Sequence, residues 1–390
     1  MQFKVRRILP KNIKDEIQKI GFSPSYLDFG ALKHRFLNIK IYDLKPEAAT
    51  IIKQTALSSG ADAAVNAGVL DHSAQKSDVI LSGSAAQMRT IAEKLKKQQF
   101  SMPKIADEIS KQIEIFLNDT PKMPVIMGIL NITEDSFSDG GKFLDPKNAI
   151  KHAYKMIEEG AKIIDIGAES TRPGADIIPS EIEIERILPV IKELRKNSAC
   201  KDIQISIDTR NSMTAGKMSE LGADIINDVS GLFYDEKMAD IIKKTGTKVV
   251  IMHSRGTPKD MDELAEYKNT QDEIYFELQE RVQNALDKGI LPNQIIIDPG
   301  FGFAKDTEQN FEILSKVEEF KSMGYPVLAG LSRKRFIKSL MGPDFSGKAD
   351  DIDFLSAGAS LFLTLKGADI IRVHNVLKTR QMLDLAGKLI

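Results

Sequence analysis

The sequence predicts an α/β protein: a (β/α)8 TIM barrel with an additional small N-terminal α/β domain. From residue 124 onward, eight short apolar strands alternate with amphipathic helices over about 265 residues, which is the size of one such barrel. Residues before 118 show a different and less regular pattern. The segment NDTPKMP, with two prolines, separates the two parts and is typical of a linker.

A domain boundary is therefore expected near residue 118, with a small α/β domain of unassigned role over residues 1–118 and the barrel over residues 119–390. Charge supports this boundary. Residues 1–118 carry 18 Lys and Arg against 12 Asp and Glu, whereas the remainder carries 36 against 43. The difference would help the two parts dock. Scattered surface charge explains it equally well.

The N-terminal part reads as helices and short strands without an evident chemical motif. Its predicted helices are Lys14–Ile20, Pro46–Ser59, Ala85–Gln98 and Lys104–Phe116, and its predicted strands are Leu37–Tyr42 and Val79–Leu81. It contains neither a phosphate-binding loop nor metal-ligand spacing. His34 and His72 stand alone, which is more typical of surface or locally bonded histidines.

Eight strands are predicted in the second part. They are Val125–Leu130, Ile163–Ile166, Ile203–Ile207, Asp224–Ile226, Val249–Met252, Ile295–Ile297, Val327–Leu328 and Ile370–Val373. Three of them follow a Gly-Ala pair, at residues 160, 222 and 367, where glycine would end the preceding helix. A doubly wound open sheet is the alternative, but eight units is high for that fold and no GxGxxG follows the first strand.

Composition limits the class of protein. A net charge of −1 argues against a nucleic-acid partner, and no stretch approaches the roughly 20 apolar residues of a membrane span. The N-terminus lacks the apolar core of a signal peptide. Cys200 is the single cysteine, so no internal disulfide can form, and a reducing cytoplasm is expected. Its loop-like setting indicates a structural residue.

Polar side chains follow all eight predicted strands, where a (β/α)8 barrel carries its active site. One such residue for each strand, in order, is Asn131, Glu169, Asp208, Asn227, His253, Asp298, Ser332 and Arg372. Turn or capping roles would explain one or two carboxylates, Asp228 above all and Asp139 about evenly. They do not explain eight in succession.

The residue types indicate two half-sites. Asp208, Asn227, Asp298 and Lys334 offer donors and acceptors that suit a flat heterocycle with alternating N–H and C=O edges, because a carboxylate accepts two parallel N–H bonds.

The second half-site suits an anion, most simply a phosphate. Arg372 and His374 end the last strand, and Asn131 ends the first, which is adjacent in a closed barrel. The Asn131 carbonyl oxygen would hold Mg²⁺, with phosphates and waters completing its shell. Taken singly, Arg372 could be a surface cation and His374 a satisfied core imidazole. Together they favour the anion site. The glycine-rich loop after Asn131 is expected to close over it.

The residues of the strand ends resemble a known family. MGILNITEDSFSDGG and GAKIIDIGAESTRPGA are similar to the two signature segments of the dihydropteroate synthase family. Six further segments agree with it: SIDTR, IINDVSG, VIMHSRG, IIIDPGFGFAK, GLSRKRFI and IIRVHNV. The resemblance covers about residues 123–388 and includes every strand end.

The resemblance implies a transferase of folate biosynthesis. Such an enzyme condenses 6-hydroxymethyl-7,8-dihydropterin pyrophosphate with p-aminobenzoate, giving 7,8-dihydropteroate and pyrophosphate with the help of Mg²⁺. Small-molecule substrates, competition by sulfonamides and a homodimer through barrel helices are the corresponding expectations.

Site residues carry over by their motifs. The pterin would be bound by Asp208, Asn227, Met252, Asp298, Gly330 and Lys334. The pyrophosphate would be bound by Asn131, Thr171, Arg372 and His374, with Asn131 also the metal ligand. The p-aminobenzoate site would be formed by Phe137, Thr171, Arg172, Pro173, Phe303, Ser332 and Lys334, and Arg333 is a further candidate. The catalytic set would be Asp208, Lys334, Arg372 and His374.

The implied chemistry needs no covalent enzyme intermediate, and no nucleophilic Cys or Ser triad is evident in the sequence. Neutralising the leaving pyrophosphate would let the electron-rich dihydropterin support a cationic methylene, which Asp208 would stabilise. The arylamine would then attack from the far side.

Three positions depart from the family pattern. Glu134 stands where proline is usual, Ala304 replaces a usual glycine, and Asn375 replaces the usual aspartate after His374. None removes a contact named above, although Glu134 would affect how the first loop closes.

Three alternatives remain open. A methyltetrahydrofolate:corrinoid methyltransferase needs a pterin pocket but no pyrophosphate site, and the STRPG, SRK and RVH segments disfavour it. A non-catalytic pterin-binding protein is disfavoured by the intact polar strand ends. A second enzyme in residues 1–118, a pyrophosphokinase or aldolase, is disfavoured because that segment lacks the acidic pairs that a kinase needs for its metal.

Overall fold

The chain forms two compact units, residues 1–120 and 121–390. The structure is a computed structural model, and it describes residues 4–8, 13–71, 73–120, 122–133, 145–169, 178–257, 260–342 and 348–388. Each unit has a hydrophobic core of its own.

The N-terminal unit combines five helices with three strands within its described residues. Its helices are α1 (Ile13–Lys19), α2 (Leu27–Leu32), α3 (Pro46–Leu57), α4 (Ala85–Leu95) and α5 (Met102–Asn118). Its strands are β1 (Phe36–Leu44), β2 (Asp62–Val65) and β3 (Ser77–Ser84), and they pair antiparallel in the order β1–β3–β2. Val79 and Leu81 on β3 are buried and Ile80 between them is exposed, as expected for a sheet covered on one face.

Sequence reasoning missed β2. Its four residues, Asp-Ala-Ala-Val, include two alanines and an aspartate, which are depleted in strands. The segment is a strand because it pairs with β3 along its whole length, from Asp62 opposite Ser82 to Val65 opposite Val79. Tertiary pairing here outweighs local propensity.

The second unit alternates strands and helices in the predicted order. Its strands are β4 (Val125–Asn131), β5 (Ile163–Gly167), β6 (Gln204–Asp208), β7 (Ile225–Asp228), β8 (Lys248–Met252), β9 (Ile295–Asp298), β10 (Leu328–Ala329) and β11 (Ile370–Val373). Its helices are α6 (Pro146–Glu159), α7 (Ser180–Lys196), α8 (Ser212–Glu220), α9 (Met238–Thr245), α10 (Thr270–Asp287), α11 (Thr307–Ser315), α12 (Arg335–Lys338), α13 (Ala349–Leu365) and α14 (Val376–Ala386).

The eight strands are parallel and form a nearly closed barrel. They pair in the order β10–β11–β4–β5–β6–β7–β8–β9. The remaining gap, between β9 and β10, is spanned by a single bridge between Ile297 and Val327 and by a hydrogen bond of 2.9 Å from the Ile297 amide to the Pro326 carbonyl. This closure confirms the predicted barrel and excludes the open, doubly wound sheet.

Helix ends and strand starts follow the Gly-Ala pattern seen in the sequence. Gly160, Gly222 and Gly367 have φ angles of +113°, +98° and +82°, where side chains with a Cβ are disfavoured. Each ends its helical segment and turns the chain into β5, β7 or β11. The prediction that glycine terminates these helices is confirmed.

A plug of apolar side chains fills the barrel interior. It consists of Met127, Ile163, Ile225, Val250, Ile296, Leu328 and Ile370, all at most 7% exposed. Between them they come from seven of the eight strands. This apolar plug also forms the floor of the pocket, because the residues nearer the C-terminal strand ends pack on top of it. In the part of the chain described here, no helix is both long and apolar enough to cross a membrane.

The glycine at position 300 yields a stability prediction. Gly300 and Gly246 have nearly the same φ, +71° and +72°, but a Cβ at Gly300 would lie 1.8 Å from the His253 carbonyl oxygen, whereas at Gly246 it would meet nothing within 4 Å. Gly246→Ala should therefore cost only backbone strain, about 1–2 kcal/mol. Gly300→Ala should cost about 1–3 kcal/mol more, because the backbone must shift. Urea denaturation followed by circular dichroism measures both, and equal costs would contradict the described approach of β8 and β9.

Candidate active site

Strand alternation places the predicted site residues directly above the apolar plug. Side chains two residues apart on a strand point to the same face. Asn227 therefore stands above Ile225, Met252 above Val250, and Asp298 above Ile296 in the barrel interior. The same rule places Asn131, Asp165, Asp208, Gly330, Arg372 and His374 inside the barrel. Polar groups at the mouth thus rest on an apolar floor.

Arg372 joins the two predicted half-sites. Its Nε donates to Oδ2 of Asp165 at 2.6 Å, and its Nη2 donates to Oδ2 of Asp208 at 2.6 Å. The Arg372 side chain is only 21% exposed, so it is not a surface cation. The arginine expected on the phosphate side is bonded directly to the carboxylate expected on the pterin side. The two half-sites are therefore one connected cluster.

Asp165 is the member of this cluster that sequence reasoning missed. It is fully buried, and its Oδ2 also accepts a hydrogen bond of 3.1 Å from Nδ2 of Asn227. The residue lies inside the apolar run IIDIG and not at a strand end. The available signal was a lone carboxylate in an apolar strand, two residues from Gly167 and on the inward face.

The Asp208 carboxyl and the Arg372 guanidinium both have shifted pKa values. Burial raises the pKa of the Asp208 carboxyl to about 7; Arg372 opposes this rise and Asp165 adds to it. Burial also disfavours the Arg372 charge, but Asp165 and Asp208 outweigh it, so the pKa of Arg372 is raised. Arg372 stays charged at any working pH, whereas Asp208 is sensitive to what occupies the site.

Lys334 and Asp298 face each other beside this cluster. Burial lowers the pKa of Lys334 to about 8, against the opposing charge of Asp298, and burial raises the pKa of Asp298. The Lys334 ammonium donates to the carbonyl oxygen of Phe301 and lies 4.8 Å from the ring centroid of Phe303. The Asp298 Oδ1 accepts from the Gly300 amide at 2.7 Å. Lys334 thus lies between Asp298, a predicted pterin ligand, and Phe303, a predicted p-aminobenzoate contact.

Met252 and Gly330 complete the predicted pterin pocket. Met252 is 3% exposed and lies opposite Asp298 in the sheet register. A Cβ at Gly330 would contact the Arg372 side chain at 3.6 Å, so glycine leaves room beside the guanidinium. The structure places both residues at the same level of the interior as the charged cluster.

Asn131 fits the predicted metal position. It lies opposite Gly167 in the register, and a Cβ at Gly167 would sit 3.6 Å from its Oδ1 and 3.3 Å from the Asp208 Cβ. Glycine therefore keeps a gap between the amide oxygen and Asp208. The described residues contain no cluster of three or more His, Cys, Asp or Glu that could hold a metal alone. The Asn131 amide oxygen is a ligand type that Mg²⁺ accepts when phosphates and water complete its shell.

His374 is positioned by Ser332. The Nδ1 atom of His374 lies 3.0 Å from the Ser332 hydroxyl, and the His374 amide donates to the same oxygen at 3.2 Å. The loop after β10 is thereby fixed to the end of β11. The structure brings Ser332, His374 and Arg372 together at neighbouring strand ends.

Arg333 points away from this cluster. Its φ is +60°, and its Nε and Nη2 donate to the two oxygens of Asp353 on α13 at 2.7 and 2.9 Å. Asn375 donates to Asp353 at 3.0 Å and accepts from the Lys378 amide at the start of α14. Asn375 thus still caps its helix, and Arg333 anchors the backbone that presents Ser332.

A buried hydrogen-bonded chain supports the loop after β9. Nζ of Lys305 lies 2.9 Å from Nδ1 of His253 and bonds the carbonyls of Gly300 and Phe303 at 3.0 and 2.9 Å. The His253 Nε2 lies 2.9 Å from Glu277 on α10. Burial lowers the pKa of His253 to about 3, so its ring stays neutral and accepts from the lysine. This arrangement fixes the segment that carries Phe303.

Ala304 lies in the same segment with φ of +48° and full burial. That left-handed conformation favours glycine, which is the residue that the resemblance implies at this position. Its carbonyl accepts from the Tyr267 hydroxyl at 2.9 Å, which helps to hold the strained residue.

Two strand-end pairs have structural explanations. Asp228 accepts from the amide and hydroxyl of Ser230 at 2.8 and 2.6 Å, so it stabilises a turn, as the sequence favoured. Glu169 accepts from Arg210 in a two-bond pair of 3.2 and 2.7 Å, which ties the end of β5 to the end of β6. The predicted loop residues Phe137, Thr171, Arg172 and Pro173, and the departure at Glu134, lie outside the described residues.

Comparison with known proteins identifies the class of enzyme to which the barrel belongs. The family model described as "Pterin binding enzyme" matches residues 127–374. A dihydropteroate synthase of Streptococcus pyogenes is 43% identical over 264 residues, which is 68% of this chain and 95% of that protein. A dihydropteroate synthase structure from Anaplasma phagocytophilum with bound 6-hydroxymethylpterin-monophosphate is 34% identical, with a TM-score of 0.61 over 69% of this chain and all of that one.

The chain therefore belongs to the dihydropteroate synthase family of pterin-binding enzymes. The resemblance noted in the signature segments is confirmed, and with it the predicted transferase of folate biosynthesis.

The N-terminal unit has a counterpart in a second kind of relative. A probable bifunctional folylpolyglutamate synthase/dihydropteroate synthase of Haloferax volcanii is 34% identical over 349 residues, which is 84% of this chain but 40% of that protein. An alignment of this length cannot be contained in residues 121–390. Part of the N-terminal unit is therefore matched as well.

Proposed function

We propose that the strand-end cluster of the barrel carries out the dihydropteroate synthase reaction. One observation supports this most directly: Arg372 links Asp208, the predicted pterin ligand, to the mouth where Asn131 and His374 stand. The site so proposed takes all its residues from residues 119–390. Residues 1–118 form a separate domain of unassigned role.

The pterin ring would lie on the apolar floor against Asp208, Asn227, Asp298 and Lys334. Buried polar groups must be hydrogen-bonded, and Asp208, Asn227 and Asp298 are all at most 9% exposed. A flat heterocycle with N–H and C=O edges would satisfy them together. Met252 and Gly330 would bound the ring without polar contacts.

The pyrophosphate would lie at the mouth, on Asn131, Arg372, His374 and Thr171. The Nη1 atom of Arg372 makes no hydrogen bond with any residue in the described ranges, so its two N–H groups suit phosphate oxygens. Asn131 would hold Mg²⁺ through its amide oxygen. The ion, when bound, supplies positive charge that stabilises the departing pyrophosphate.

Charge placement explains the reaction. Arg372 and His374 would neutralise the leaving oxygens as the C–O bond breaks, and Asp208 would stabilise the cationic methylene left on the pterin. The arylamine of p-aminobenzoate then bonds to that carbon and loses its proton. Phe303, Ser332 and Lys334, with Phe137, Thr171, Arg172 and Pro173, would place the arylamine.

We further propose a homodimer and a cytoplasmic location. Phe354, Phe362 and Leu365 on α13 are 59%, 39% and 49% exposed at helical spacing, which favours a partner helix face. Sedimentation velocity of the chain and of Phe354→Glu tests the dimer. Cys200 is buried and is the single cysteine, which fits a reducing compartment, and cell fractionation tests that location.

Turnover gives the direct test. Release of pyrophosphate should require dihydropterin pyrophosphate, Mg²⁺ and p-aminobenzoate together. Arg372→Ala should lower kcat about 10²–10³-fold, as expected for loss of a donor to developing charge. Arg380→Ala, half-exposed on α14, should leave it unchanged. Pterin binding without release would instead support the methyltransferase or non-catalytic alternatives.

The Lys334 pKa of about 8 gives a pH prediction. Because burial lowers this pKa, the ammonium is present below pH 8 and is lost as the pH rises through it. Affinity for dihydropterin pyrophosphate should fall up to tenfold per pH unit above that point. Lys334→Arg should remove this alkaline limb, because guanidinium stays charged. Calorimetry at several pH values measures it. The control Lys338→Arg, at an exposed site, should lose affinity above pH 8 as the wild type does. The same loss in Lys334→Arg would contradict the assignment of this pH dependence to Lys334.

A further inference from the structure

Asp165 is a buried carboxylate that the proposed roles do not use. It lies in the middle of β5, is fully buried, and holds two residues of the cluster through a single oxygen, Oδ2. Nε of Arg372 bonds that oxygen at 2.6 Å and Nδ2 of Asn227 bonds it at 3.1 Å. Asp165 therefore bonds both a predicted pyrophosphate ligand, Arg372, and a predicted pterin ligand, Asn227.

Such a charge is not explained by stability. A buried ion pair contributes little net stability, because desolvating both charges costs about as much as their attraction returns. The cost is higher here, since Asp165 Oδ1 has no hydrogen-bond partner among the described residues. An apolar residue would suit the barrel interior as well. The carboxylate is better explained by what it does to the orientation of Arg372.

The geometry limits where the guanidinium can turn. Nε and Nη2 lie along one edge of the Arg372 guanidinium, and here that edge is divided between two carboxylates, Asp165 and Asp208. As long as Asp165 holds Nε, the Nη1 atom stays directed away from both carboxylates. Without Asp165, both donors of the divided edge would be free to engage Asp208 alone in a two-bond fork. That fork would occupy the carboxylate that the pterin needs.

We propose that Asp165 is a positioning residue of the reaction: it holds Arg372 and Asn227 in place, so that Asp208 stays available to the pterin and Arg372 Nη1 to the pyrophosphate. This role rests on the proposed function of the same site. Asp165 itself touches no substrate. Its bond to Arg372 Nε should persist in the substrate complex, while the bond to Asp208 is the one that substrate replaces.

The test compares Asp165→Asn with Ser206→Ala in the full chain. The asparagine keeps an oxygen for Arg372 and Asn227 but removes the charge. Ser206 lies opposite Asp165 in the register, is fully buried, and its hydroxyl has no described partner, so it controls for a change at the same depth. Melting temperature, kcat, and KM for each substrate are measured for both variants and the wild type.

Asp165→Asn should lower both kcat and the affinity for dihydropterin pyrophosphate by about 10- to 100-fold, as expected for residues that orient functional groups. KM for p-aminobenzoate should change less than about twofold, since Arg372 does not serve that site. Ser206→Ala should match the wild type. Unchanged kcat and pterin affinity in Asp165→Asn would overturn the proposal, as would a loss of folding with normal kcat per folded molecule.

A pH profile separates positioning from mere structure. The charged groups that face Asp208 are Arg372 on β11, Asp165 on β5, Glu169 after β5, Glu183 on α7 and Lys334 after β10. Because Asp165 raises the pKa of Asp208, removing its charge should move the loss of pterin binding on acidification to lower pH. A purely structural role would lower stability and leave this pH dependence in place, which would count against the proposal.

Binding calorimetry with dihydropterin pyrophosphate alone keeps the two proposals distinguishable. If the wild type binds the pterin but releases no pyrophosphate, the proposed function fails. The comparison of Asp165→Asn with Ser206→Ala by calorimetry still decides whether Asp165 positions the site.

Discussion

The pairing of buried charges inside the barrel is the constraint on which this site depends. Carboxylates stand on an apolar floor, where an unpaired charge would be very costly. Arg372 meets that constraint for Asp165 and Asp208 at once, at 2.6 Å each. The same guanidinium then connects the base of the pocket to its mouth. In the proposed function, Arg372 would therefore couple the binding of a heterocycle to the departure of an anion.

The surrounding loops are held by a second layer of buried polar contacts. Lys305 bonds the backbone of the loop after β9, and Asp353 fixes Arg333 in the loop after β10. Arg281 donates to the carbonyls of Ser230 and Met252, which holds the ends of β7 and β8 together. Rigid support of this kind keeps Met252, Phe303 and Ser332 in place, and catalytic geometry depends on such support.

The strand-end rule made most of the site predictable, because polar residues after parallel strands must meet at one end of a barrel. It predicted that Asp208, Asn227, Asp298 and Arg372 lie together at the strand ends, and the structure has them there. It could not identify Asp165, because this residue lies inside a strand. Its hydrogen-bond partners, Asn227 and Arg372, are 62 and 207 residues away along the chain. The partner of Arg333 could not be predicted for the same reason. Its local sequence suits a substrate contact, but tertiary packing brings it to Asp353 instead.

A crystal structure of the chain with dihydropterin pyrophosphate would show directly how Arg372 is held when substrate is bound. We expect Arg372 Nε to remain within hydrogen-bond distance of Asp165, the pterin to replace the guanidinium on Asp208, and Nη1 to face the phosphates. An Arg372 swung away from Asp165, with the carboxylate left facing the ligand, would contradict this arrangement.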